Sequence, residues 1–159
     1  MSESSIATPA VAPDHIARFR LLKVIGVLGI VGGILMIGGG AVAWAAVSTE
    51  LRAEKIMVSD DAAFLAGSTV ADPFTAYAEA EVISVHAMKA SNGRTYAELG
   101  KDDPVRTTMM TASFLRTSLF TSIVSFGVAA FAAGVGTLFI LFGAAVVALV
   151  PSTRRSSRV

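Results

Sequence analysis

The chain contains no cysteine and only two histidines, His15 and His86, in 159 residues. The absence of cysteine excludes disulfide frameworks, iron–sulfur clusters and thiol nucleophiles together. The two histidines are too far apart in sequence to form the H-x-x-x-H or H-E-x-x-H spacing of a helical zinc site. The sequence also lacks a G-x-S-x-G elbow, an S-x-x-K motif and a P-loop. We therefore predict no catalytic residue, no metal ligand and no cofactor.

Charge of either sign is scarce and nearly balanced. The chain has thirteen Lys and Arg and twelve Asp and Glu, for a formal net charge of +1. No basic face interleaved with aromatic residues is present, so a nucleic-acid partner is not expected. Two acidic pairs, Asp60-Asp61 and Asp102-Asp103, adjoin turns or helix starts, where Asp commonly acts as a cap.

Two long runs, 24–47 and 117–150, have no ionisable residue at all. They hold 24 and 34 residues, and a membrane-spanning helix needs about 20 apolar residues. Ionisable groups inside a membrane typically mark pumps and ion pathways, so their absence argues against a transporter. The sequence predicts an all-α membrane protein with two transmembrane helices and the lipid bilayer as its first partner.

Basic residues flank these runs in two short tails. The tail 1–23 carries Arg18, Arg20 and Lys23, and the tail 151–159 carries three arginines without an acid. Lys and Arg near the spans favour the cytoplasmic side. We therefore predict a multi-pass plasma-membrane protein with two cytoplasmic tails, of which the first is disordered, and an extracytoplasmic segment at 48–116.

A cleaved signal peptide is the alternative for the first run. Ala41, Ala43 and Ala45 offer small-residue sites after a basic region. Signal-peptide apolar regions are about 7–15 residues long, and this run is 24 residues long. The length favours an uncleaved anchor.

Small residues form one stripe on each predicted span. Gly29 and Gly33 form a G-x-x-x-G pair, a spacing that lets two helix backbones approach closely. The second run begins with polar residues that suit the membrane interface, so we expect its first turns to lie there. Ser122 and Ser125 can donate hydrogen bonds to a neighbouring helix or to their own helix. The predicted helix-packing residues are Gly26, Gly29, Gly33, Gly40, Ser122, Ser125, Ala129 and Gly136.

The segment 48–116 is predicted to be mainly helical. We expect the first helix to continue past Val47 into water, and a new helix to begin at Asp72-Pro73, a capping residue followed by a favoured first residue. It should end near Ser91-Asn92-Gly93. A long helix should follow Asp103-Pro104 and continue unbroken into the second run.

Apolar residues at helical spacing predict the inward face of the helix that follows Asp72. A loop before it is expected to tuck Phe64 and Leu65 inward. The predicted inward residues of the helix are Phe74, Tyr77, Ala78, Val82, Val85 and Met88.

Four segments of the chain resemble small two-span membrane proteins of actinobacteria. Members of this group often carry the name aromatic ring-opening dioxygenase LigA. The segments that carry the resemblance are LRAEKIMVSDDAAFLAG (51–67), DPFTAYAEAEVI (72–83), GRTYAELGKDDPVR (93–106) and TASFLRTSLFTSIVSFGVAA (111–130).

The resemblance implies a cell-envelope location and no established activity. The enzyme name implies an extradiol dioxygenase, whose iron needs two histidines and a carboxylate. His15 and His86 fall on opposite sides of the membrane in the predicted topology, so one iron cannot use both. Our leading hypothesis is a structural, accessory or interaction subunit, as a homo-oligomer or within a larger membrane complex. The alternatives are a ring-opening dioxygenase or its small accessory subunit and, less favoured, an oligomeric channel.

Overall fold

The computed structural model describes residues 14–150, with side chains from residue 18 onward. Within that range the chain forms three α-helices and a single 3₁₀ turn at Tyr96–Glu98. Apart from an isolated bridge between Met57 and Thr69, the described residues contain no β-structure. The prediction of an all-helical protein is confirmed. The helices are α1 (Asp14–Ala53), α2 (Pro73–Ala90) and α3 (Arg106–Leu149).

Helices α1 and α3 are each long and apolar enough to cross a membrane. Helix α1 begins at Asp14, so residues 14–23, assigned to the first tail from sequence, belong to the helix. It continues past Val47 to Ala53, and α3 runs without a break from Arg106 into the second charge-free run, both as predicted. The remaining parts of the two predicted tails, 1–13 and 151–159, lie outside the described residues.

The chain divides into two compact units. Among the described residues, one unit consists of 14–36 and 135–150, and the other of Ile37–Gly134. The first unit therefore contains parts of α1 and α3 alone. The second contains α2 and both connecting segments in addition to parts of the two long helices.

The core of the second unit combines the end of α1, the loop before α2, α2 itself and the middle of α3. Phe126 is its largest fully buried side chain, at 1% exposure. A smaller cluster joins the far end of α2 to the beginning of α3 through Ala87, Leu99, Met109 and Ala112. The members of the main core are Leu51, Val58, Val70, Ala76, Ala78, Ala80, Leu119 and Phe126.

Helix α2 begins and ends at the predicted signals. Asp72 Oδ1 accepts hydrogen bonds from two first-turn N–H groups, including that of Thr75 at 3.1 Å. Thr75 Oγ1 in turn accepts from the Asp72 N–H, which completes a capping box. At the other end, Asn92 and Gly93 adopt positive φ angles of 53° and 80°, and the Gly93 N–H donates to the Met88 carbonyl at 2.8 Å. This bond is typical of a Schellman C-cap.

The inward face of α2 differs from the prediction. Ala78 and Val82 are buried as expected, but Phe74 and Val85 are 71% and 56% exposed. Four alanines make up most of the buried apolar face of α2, and such small side chains allow a helix to lie close to its neighbours. The large side chains consequently lie outside. The buried residues of α2 are Thr75, Ala76, Ala78, Glu79, Ala80, Val82 and Ala87.

The loop before α2 also differs from the prediction. Phe64 and Leu65 are exposed, whereas Val58 and Val70 enter the core. Val58 donates its N–H to the Ser68 carbonyl at 2.8 Å, so the two arms of the loop pair side by side. This pairing points the valines of the arms toward the helices and projects the residues between the arms outward.

The linker before α3 is ordered by two short polar arrangements. The Arg106 guanidinium donates to the carbonyl oxygens of Tyr96 and Leu99 and lies 4.0 Å from the Tyr96 ring centroid. Thr95 donates its N–H and hydroxyl to Glu98 at 2.7 and 2.8 Å. These hydrogen bonds hold the pKa of the Glu98 carboxyl below its ordinary value. The linker thus forms a capped turn that leads directly into α3.

Candidate functional site

In the first unit, three of the glycines singled out from sequence lie against α3. A Cβ atom on Gly33 would clash with the carbonyl oxygen of Gly136, and one on Gly26 would lie 2.9 Å from the carbonyl oxygen of Gly143. A Cβ on Gly29 would lie 3.7 Å from the Gly143 Cα. The backbones of the two helices therefore approach closely at these glycines, and side chains such as Ile140 and Val147 pack over the same positions.

In the second unit, the same kind of contact continues at Gly40. Its Cβ would lie 2.7 Å from the carbonyl oxygen of Ala129. One turn further along α1, the Trp44 ring lies 4.6 Å from that of Phe126 at an interplanar angle of 59°. Residues later in α1 thus contact residues earlier in α3, so the two helices are antiparallel. By this antiparallel register the charge-free run of α1, which ends at Val47, stops roughly level with Ser122, a few residues inside the second run.

The two predicted serines bond within their own helix. Ser122 Oγ donates to the Ser118 carbonyl at 3.2 Å, and Ser125 Oγ donates to the Thr121 carbonyl at 2.9 Å. Both are half-buried. Because each hydroxyl is satisfied four residues back, neither is needed as a hydrogen-bond donor between helices.

Three further glycines of α1 face open space. Among the described atoms, none lies within 4 Å of an added Cβ on Gly32, Gly38 or Gly39. Gly32 lines an apolar groove of about 440 Å³ in the first unit, and Gly39 lines one of about 590 Å³ in the second. Helix α1 thus carries more glycine than its packing against α3 uses.

Sequence reasoning missed two residues of the interface. Gly143 lies one heptad after Gly136, and its Cβ would contact the carbonyl oxygen of Gly26. The heptad spacing was the available signal, because Gly26 and Gly33 are separated by the same interval. Phe126 gave no such signal, since nine phenylalanines occur in the chain and only the fold distinguishes the buried one.

Titratable side chains pair outside the long apolar runs. His86 Nε2 lies 2.6 Å from Asp61 Oδ2, with both side chains exposed. The hydrogen bond from His86 holds the pKa of the Asp61 carboxyl below its ordinary value. Nearby, the buried Glu79 accepts a hydrogen bond from the Ser59 N–H at 2.8 Å. Both contacts fasten the loop before α2 onto that helix.

No group of three His, Cys, Asp or Glu residues able to hold a metal ion occurs in the part of the chain that the structure describes. The His15 side chain lies outside the described residues.

Comparisons with protein-family models, with curated proteins and with solved structures found no match to this chain. The fold itself defines the class: an all-helical protein with two helices long and apolar enough to cross a membrane, in which glycines of one helix lie against the backbone of the other.

The glycine interface predicts a sharp difference between two adjacent positions. Gly33→Ala should lower the free energy of unfolding by about 1–3 kcal/mol, the usual cost of overpacking. Gly32→Ala should leave it unchanged or raise it by up to about 1 kcal/mol, because its Cβ meets open space and alanine has the higher helix propensity. Unfolding of both variants by a denaturing detergent in micelles, followed by circular dichroism, measures the difference. Equal effects of the two substitutions would contradict the close approach at Gly33.

The Asp61–His86 pair predicts a pH effect of defined sign. Because the folded state lowers the pKa of Asp61, the pair contributes stability at neutral pH that is lost as the pH falls through the lowered pKa. A carboxyl NMR titration of the protein in micelles should give a midpoint for Asp61 below the ordinary aspartate value. His86→Ala should raise that midpoint, and Lys89→Ala should raise it less, because Lys89 acts only through its charge. A midpoint unchanged by His86→Ala would rule out the hydrogen bond as the cause.

Proposed function

We propose that this chain is an integral protein of the plasma membrane, a two-span helical hairpin that acts as a structural or interaction subunit. Its two spans lie within α1 and α3, both termini are cytoplasmic, and residues 48–116 form a helical extracytoplasmic cap.

The exposure of the apolar helices is the observation that carries the proposal. In the most apolar stretch of each long helix, only 11% of the residues are buried. A core helix of a soluble protein would be largely buried, whereas a helix surrounded by lipid keeps apolar side chains on its outside. Leu35 at 70%, Phe131 at 72% and Phe142 at 68% exposure are side chains of this kind. Lipid is the solvent that suits them.

The distribution of charge supports the proposed orientation. Arg18, Arg20 and Lys23 precede the first charge-free run, and the short segment after the second run adds three arginines. The segment between the runs holds ten acidic and seven basic residues spread over 69 positions. Basic residues concentrated beside the spans favour the cytoplasmic side.

The unused glycines support a role in association. A glycine that packs against nothing gives up the helix propensity of alanine and gains no contact in return. Gly32 and Gly39 each line an apolar groove, and small residues on a membrane helix allow a further helix to approach. The occupant we propose is a helix of a second copy or of a membrane partner.

Topology is tested with single cysteines, since the natural chain has none. A membrane-impermeant maleimide applied to intact cells should label Lys101→Cys and leave Ser5→Cys and Ser156→Cys unlabelled until the cells are lysed. The reason is that only the central segment lies outside in the proposed orientation. Labelling of either terminal cysteine in intact cells would overturn that orientation.

Association is tested by the mass of the protein extracted at its natural level. In mild detergent the particle should contain more protein than one 16.4 kDa chain. Gly39→Leu should return it to a monomer, because the new side chain fills the groove that Gly39 lines. The control Val42→Leu changes a side chain that is already exposed and should leave the mass unchanged. Recovery of the monomer alone from the natural protein would contradict a role in association.

A further inference from the structure

An exposed aromatic patch lies on the second unit where α2 meets α3. We define it by Phe64 and Leu65 of the loop, Phe74 and Tyr77 of α2 and Phe120 of α3. Their exposures run from 36% for Phe120 to 71% for Phe74. Apolar surface of this kind commonly marks an interaction site.

The three rings nearest α3 form a continuous ladder. Tyr77 meets Phe120 edge to face, with ring centroids 6.2 Å apart, and the ring of Phe64 stacks with that of Tyr77 at 6.4 Å. These distances and angles are favourable for aromatic pairs, so the rings hold one another in place. Phe120 belongs to the second charge-free run. The ladder therefore connects a proposed span to the loop of the cap.

The position of α2 places the remaining ring at the end of the spans. Ser48, the first residue after the charge-free run of α1, donates its hydroxyl hydrogen bond to the Ala71 carbonyl. Phe74 follows Ala71 by three residues and lies one turn before Tyr77. The N-terminal end of α2 is thus fixed at the level where α1 leaves its charge-free run.

The opposite end of α2 has a different character. Ala87 packs with Met109 and Ala112 near the start of α3, before its charge-free run begins. The C-terminal end of α2 therefore lies further from that run than its N-terminal end does. At this far end lie the exposed His86, paired with Asp61, and the exposed Lys89. Helix α2 is thus aromatic at the end near the spans and charged at the other end.

We propose that the aromatic patch inserts into the interfacial layer of the same bilayer that α1 and α3 cross, so that the cap rests on the membrane instead of standing free of it. Tyr and Trp are enriched at this depth, where an apolar ring and a polar tip are both satisfied. Asp72, the carboxylate nearest Phe74, accepts hydrogen bonds from Phe74 and Thr75, which offset part of its loss of water. This inference rests on the proposed membrane-spanning function, because it assigns the patch to that bilayer.

Nitroxide labels on single cysteines test the proposal in the full-length chain. The protein is reconstituted in vesicles of phosphatidylcholine and phosphatidylglycerol, and each label is probed with oxygen, which concentrates in lipid, and with a water-soluble nickel chelate. The reporter is Phe74→Cys. The matched control is Val85→Cys, exposed on the same helix and about 16 Å further along its axis. Leu35→Cys reports on the first span.

The expected result is a ratio of oxygen to nickel accessibility several-fold higher for Phe74→Cys than for Val85→Cys, with Leu35→Cys higher still. Equal ratios at Phe74 and Val85, beside a high ratio at Leu35, would overturn the insertion of the patch and leave the spans intact. A Phe74 label shielded from both reagents would overturn it as well, since a second copy or a protein partner would then cover the patch. A Leu35 label as open to nickel as Val85 would instead defeat the proposed membrane function.

Discussion

Close backbone contact between α1 and α3 is the constraint on which the rest of the structure depends. Gly33 against Gly136 in one unit and Gly40 against Ala129 in the other leave no room for a Cβ on α1. Burial of such small surfaces in water contributes little hydrophobic free energy, and in lipid the hydrophobic effect does not drive two helices together. The contact therefore depends on the shape complementarity of the two helices, which sets their antiparallel register within each unit.

Helix α2 packs in a similar way, with alanine in place of glycine. Ala76, Ala80 and Ala87 allow α2 to lie close to its neighbours, and the loop before it adds Val58 and Val70 to the core. Small inward residues leave the large rings outside. The aromatic patch is therefore a direct consequence of how α2 and the loop before it pack.

Much of the secondary structure was predictable, because its signals are local. Asp72-Pro73 and Asn92-Gly93 bound α2 through hydrogen bonds between residues a few positions apart. The inward face of α2 was not predictable in the same way. Hydrophobicity alone favoured Phe74 and Val85 as core residues, whereas the fold buries Ala76 and Ala80. The sequence also left open which groups accept hydrogen bonds from the Ser122 and Ser125 hydroxyls. In the structure both acceptors are backbone carbonyls of α3 itself.

By itself the sequence determined that the chain is helical, that two of its helices are long and apolar enough to cross a membrane, and that one face of α1 is rich in glycine. These properties depend on composition and on spacing along one helix. Only the tertiary structure decided which glycines are used, since Gly32 and Gly33 are adjacent and chemically identical yet face open space and Gly136 respectively. It likewise decided that Phe126 is buried while Phe131 is exposed. Such choices depend on which atoms of another helix come within van der Waals reach, and no pattern within a single helix specifies that distance.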